Sequence, residues 1–71
     1  MPYLVKRSFS LAGHRTSVAL EPEFWTALIT EAARQNQTLT TLIATLDATR
    51  DPDRPLASTL RLHALQIAKS Q

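Results

Sequence analysis

Apolar and polar residues alternate along the first twenty positions. Phe9 and Leu11 alternate with Ser8 and Ser10, and beyond the only glycine, Gly13, Thr16, Val18 and Leu20 alternate with Arg15, Ser17 and Ala19. A period of two marks a strand with one buried face, and Thr, Val and Phe suit a pleated surface. The pattern predicts a strand over about 15–20. Ala12-Gly13-His14 fits either a hairpin turn or a break between two extended pieces, and a lone glycine does not choose between them. The residues before the strand, about 1–14, read as a basic N-terminal arm. Within that arm, residues 3–11 are open to three arrangements: pairing with the strand, crossing to a second subunit, or staying loose.

The spacing then changes to that of helices. Glu21-Pro22-Glu23 opens one over about 22–35: proline is pre-organised for a first helical turn, and carboxylates suit its positive dipole end. Phe24, Trp25, Leu28, Ile29 and Ala32 share a face, with Glu31 and Gln35 at its edge. Asn36 is the candidate for the left-handed residue that ends this helix. Thr38 is a suitable N-cap for a second helix over about 39–50, striped by Leu39, Leu42, Ile43 and Leu46. Asp51-Pro52-Asp53-Arg54-Pro55 breaks the chain before a third helix over about 56–69. Leu56, Leu60, Ala64 and Ile67 form its main stripe with His63 among them, while Leu62 and Leu65 point the other way and suggest a contact on a second face.

Size and composition narrow the functional classes. A chain of 71 residues buries only about 60% of the surface it exposes when unfolded, so a larger shared core is a natural remedy. The absence of cysteine excludes disulfide staples, thiolate catalysis and cysteine-based zinc sites. His14 and His63 stand 49 positions apart with no third ligand nearby in sequence, so no metal site is expected. The six acids fall at helix starts, exposed faces or the breaker, no nucleophile has an obvious base, and no glycine-rich loop offers a phosphate cradle. Neither an enzyme nor a cofactor is expected. No apolar run approaches the roughly 20 residues that span a bilayer, which points to a cytoplasmic protein. The net charge is +2, and Lys6, Arg7 and Arg15 precede the first acid, Glu21, so the N-terminal third attracts anions.

A single strand leaves both backbone edges unpaired, and the simplest partner is the same strand of a second chain. Two antiparallel copies make a ribbon that fits the DNA major groove. The ordered combination Arg15-Thr-Ser-Val-Ala-Leu-Glu-Pro-Glu-Phe-Trp25, then Asn36-Gln-Thr-Leu-Thr-Thr-Leu-Ile43, resembles the ribbon-helix-helix superfamily, that of the methionine and Arc repressors. Arg7-Ser8, Gly13 to Ser17, Leu20-Glu21, Phe24-Trp25 and Leu60-Arg61 resemble a short single-domain bacterial branch of it. The resemblance implies a mostly α fold with a short strand. It implies an intertwined homodimer with an intersubunit two-stranded antiparallel ribbon, here with an additional C-terminal helix.

The function so implied is DNA binding by a bacterial transcriptional repressor or autoregulator. Base reading falls to Arg15, Ser17 and Ala19. Alanine departs from the family's usual polar or basic residue there and offers only an apolar contact, such as a thymine methyl. Phosphate binding falls to Thr38 and Thr40 at a helix start, with His14, Lys6 and Arg7 as further candidates. The implied dimer core is Thr16, Val18, Leu20, Phe24, Trp25, Leu28, Leu42, Ile43 and Leu46. The rival reading is a protein-interaction module or antitoxin-like protein. It would use Leu62 and Leu65 of the C-terminal helix as a partner face, with weak or no DNA binding.

Overall fold

The structure is a computed structural model and describes residues 3–70. Two strands, β1 (Val5–Leu11) and β2 (His14–Leu20), precede three helices, α1 (Pro22–Arg34), α2 (Leu39–Thr49) and α3 (Leu56–Lys69). The strands form one antiparallel hairpin, in register from Val5 opposite Leu20 to Leu11 opposite His14. Two residues make the loop, Ala12 at φ 50° and Gly13 at φ 82°. Positive φ at both central positions is the signature of the tight turn whose twist matches the flanking strands. Glycine adopts it freely, whereas Ala12 does so against the preference of a side-chain-bearing residue.

The hairpin selects one of the arrangements open to residues 3–11: residues 5–11 are a strand rather than part of an arm, and they pair with β2. Met1 and Pro2, the first two positions of the expected arm, lie outside the described residues. The reason β1 forms is the same alternation that marks β2: Phe9 and Leu11 bury their side chains beside Val18 and Leu20. Backbone pairing along β1 also satisfies one edge of β2 without any second chain.

Each helix is delimited by local chemistry. Pro22 occupies the first turn of α1. The helix closes with the Gln37 amide donating to the Ala32 carbonyl and the Asn36 amide to Ala33, both at 3.0 Å, with Asn36 at φ 57°. This is the paired closure around a left-handed residue that many helices use. At the start of α2 the Thr38 hydroxyl accepts the Thr41 amide at 3.1 Å. Thr45 and Thr49 turn their hydroxyls back onto the carbonyls of Thr41 and Thr45, which keeps these β-branched residues content on an exposed helical side. In the breaker, the Asp51 carboxylate accepts the Asp53 amide and the Arg54 amide donates to the Asp51 carbonyl, each at 2.9 Å.

α2 packs on β1, α3 packs on β2, and α1 packs on both other helices. Leu20, Leu28, Ile43 and Leu60 meet in the centre with no exposed surface. Around them lie Phe9, Leu11, Val18, Trp25, Ala32, Leu42 and Ala64. The Trp25 ring tilts against Phe9 at 5.9 Å between centroids, and its indole N–H donates to the Val5 carbonyl at 2.7 Å. Of the residues expected in a dimer core, Val18, Leu20, Trp25, Leu28, Leu42 and Ile43 are buried, and Thr16, Phe24 and Leu46 are half-buried. Ile29, expected on the apolar face of α1, is 41% exposed because the stripe narrows to Trp25, Leu28 and Ala32. α3 is built into this core through Leu60 and Ala64 and tied to the start of α1 by Arg61, which meets the Glu21 carboxylate at 3.1 Å. Leu62 and Leu65 face away, exposed.

Candidate nucleic-acid interface

Side chains directly opposite in an antiparallel pair share a face of the sheet. One face of the hairpin carries Phe9, Leu11, Val18 and Leu20 into the core. The other carries three cross-strand pairs: Ser10 with Arg15, Ser8 with Ser17, and Lys6 with Ala19. Five of these six side chains are exposed and Ala19 is half-buried. At the middle pair, the Ser8 and Ser17 hydroxyls meet at 2.9 Å. The expected readers Arg15, Ser17 and Ala19 therefore stand in one row on a single outward face. Lys6, Ser8 and Ser10 make the second row, which the expectation of a lone strand missed. The period-two spacing of Lys6, Ser8 and Ser10 was the signal for it.

The electrostatics of this face are one-sided. Neither strand contains an acid. Among the described residues the ion pairs are Arg34–Glu31, Arg50–Asp47 and Arg61–Glu21, all on or at the ends of helices. Lys6 and Arg15 take part in none of them, so their charge is available to an anionic partner.

The expected phosphate contacts do not all gather here. Arg7 lies on the core-side face, with its guanidinium 5.6 Å from the centre of the Trp25 ring. It covers the indole rather than standing beside Arg15, a favourable use of a cation on an aromatic face. His14 is exposed on that same side, opposite Leu11 and next to the turn. Thr38 and Thr40 are exposed at the start of α2. The Thr38 hydroxyl is engaged with the Thr41 amide and hydroxyl.

A second polar cluster lies on the helical side. Glu31, expected at the rim of α1, is buried at 6% exposure and grips Arg34, with guanidinium-to-carboxylate distances of 2.9 and 2.6 Å, as well as the Gln35 amide. The hydrogen bond from Arg34, then that from Gln35, holds the Glu31 carboxyl well below its usual range, at about 2. Its two firm donors and neighbouring cation make it a structural anchor. No group of metal-ligating side chains gathers among the described residues.

An acid-free strand pair is followed by three helices, and β2, α1 and α2 stand in the order of the superfamily that the sequence resembles. The ribbon-helix-helix domain family matches residues 4–68. The chain belongs to the ribbon-helix-helix family. Members of this family generally bind DNA, typically as dimers, and regulate transcription rather than catalyse reactions. No curated protein matches the chain, and no solved structure does. Within this ribbon-helix-helix chain, no helix of the described residues is long and apolar enough to cross a membrane.

Proposed function

We propose that this ribbon-helix-helix protein is a non-enzymatic transcriptional repressor or autoregulator that acts in the bacterial cytoplasm. It binds double-stranded DNA as a homodimer. The observation that carries the reading is the outward face of the hairpin, where Arg15 and Lys6 stand exposed without an acid on either strand. A two-stranded ribbon matches the major groove in width, and arginine forms paired hydrogen bonds with the O6 and N7 of guanine. Ser17 donates to or accepts from several base edges, and Ala19 offers an apolar surface to a thymine methyl. Thr38, Thr40 and His14 supply phosphate contacts around the groove, with the start of α2 lending free amides and a positive dipole end. Occupation of operator DNA then blocks transcription.

The test is fluorescence anisotropy with a labelled random-sequence duplex at two salt concentrations. Binding should weaken steeply with salt, the slope of log K against log salt gaining about −0.9 per phosphate contact. Absence of binding at low salt ends the DNA reading. Arg15→Ala should weaken binding while the helical circular dichroism stays that of the parent, and an Arg15→Ala protein that binds as tightly as the parent removes Arg15 from the interface.

A further inference from the structure

We propose that the cavity between the end of α2, the proline-containing breaker and α3 is a binding site for a small organic monocarboxylate, held by Arg54, Thr59 and His63. The inference goes beyond the DNA reading and does not rest on it: the cavity lies at the C-terminal end of α2, and Thr38 and Thr40 stand at the other.

The first support is a pair of polar atoms that the fold buries without using. The Thr59 hydroxyl and the His63 Nε2 are both buried and have no hydrogen-bond partner among the described residues. They sit four positions apart on α3, so they share one helical face, and both residues line the same cavity of about 240 Å³. Burying such atoms unpaired costs free energy, and a native structure that does so calls for a reason. The Thr45 and Thr49 hydroxyls turn back onto carbonyls of their own helix, whereas the Thr59 hydroxyl makes no such bond.

The rest of the lining sets the chemistry. Arg50 is committed, with its Nε on the Asp47 carboxylate at 2.9 Å and its Nη1 on the Arg54 carbonyl at 2.8 Å. That brace leaves Arg54 as the cation of the cavity: it donates to the Ser58 hydroxyl at 3.1 Å and joins no ion pair among the described residues. A carboxylate can take hydrogen bonds from the Arg54 guanidinium, the Thr59 hydroxyl and the Nε2–H tautomer of His63. Asp51, also in the lining, repels a second negative charge and so favours a monoanion over phosphate. Leu46 and Leu62 supply apolar wall for a hydrocarbon body, which gives the 41% exposed Leu62 something to cover it. On its α1 side His63 borders Glu31 and Arg34, whose charges already match each other, so the anion belongs on the α2 side.

The test is a titration of the ¹⁵N-labelled protein, without DNA, followed by amide chemical shifts. Benzoate and 3-methylbutanoate serve as probes, with benzamide, acetate and inorganic phosphate as controls. One or both acids should give saturable shifts around Leu46, Arg54, Thr59, Leu62 and His63, with a Kd of about 1 mM or tighter. Each control should bind at least about tenfold more weakly, the size of one hydrogen bond to a charged group. Arg54→Gln should cost about tenfold in affinity. Thr59→Val should cost a similar factor yet leave the Tm equal or higher, because it removes an unpaired buried hydroxyl at nearly constant shape. No saturable shift from either acid, equal binding of benzamide or phosphate, or full affinity in Arg54→Gln overturns the site. A lower Tm in Thr59→Val with unchanged affinity makes the hydroxyl structural and removes it from the site. Shifts at the same residues on diluting the protein alone would show a second copy covering the cavity, which also overturns the proposal.

Discussion

The two faces of the hairpin are built from the same fourteen strand residues, yet they answer to different forces. On the inner face, Phe9, Leu11, Val18 and Leu20 are held by the helices and contribute stability by leaving water. On the outer face, Lys6, Ser8, Ser10, Arg15 and Ser17 touch no helix core and remain exposed. They turn charge and hydrogen-bonding capacity to the surface. Alternation lets one short element both close the core and present a ribbon, and the two tasks should separate cleanly under mutation.

The strongest way to break the separation is Leu20→Ala. Leu20 is fully buried, so the change should cost about 2–5 kcal/mol, measured by urea denaturation, a large share of the roughly 4–10 kcal/mol expected for a domain of this size. A small loss there would mean that the inner face does not carry the fold. Arg15→Ala probes the other face. It should leave stability within about 0.5 kcal/mol of the parent and weaken DNA binding by about 1–3 kcal/mol in an anisotropy titration. At the turn that joins the faces, Ala12→Gly should relieve the positive φ and stabilise the protein by about 1 kcal/mol, read as a higher Tm. A lower Tm would show that Ala12 is not strained.

The subtlest test contrasts acid with salt. The Glu31 carboxyl is lowered from 4.5 to about 2, so its ion pair stabilises the folded state fully above pH 4.5. That contribution should fade as the pH falls from 4.5 towards 2, and Glu31→Gln should flatten the stability profile in that window. The outer hairpin face has no carboxylate, so DNA affinity should follow salt concentration rather than Glu31. A Glu31→Gln protein with altered salt dependence of DNA binding would join the two regions that the structure keeps apart.

Where a feature depends on neighbours in the chain, it was legible in the sequence. Pro22, Asn36, the Thr38 cap and the prolines at 52 and 55 mark the helix limits to within one residue, because capping and steric restriction act over a few positions. The outward row Arg15, Ser17 and Ala19 follows from period two, and Leu62 and Leu65 on the far side of α3 follow from helical spacing. Lys6 and Arg7 were legible as cations but not as residues of opposite faces, since that depends on β1 being a strand at all.

Sequence by itself therefore determined β2, the three helices and their ends, the family and the acid-free character of the ribbon, all matters of local geometry and residue type. Tertiary structure alone decided that β2 pairs with β1, that Arg7 lies over Trp25, and that Glu31 turns inward with Arg34 and Gln35. Each of those outcomes is a choice among partners that local rules permit equally. The choice went to the arrangement that buries Phe9, Leu11 and Trp25 while leaving the buried carboxylate paired, because apolar burial favours compaction and an unpaired buried charge opposes it.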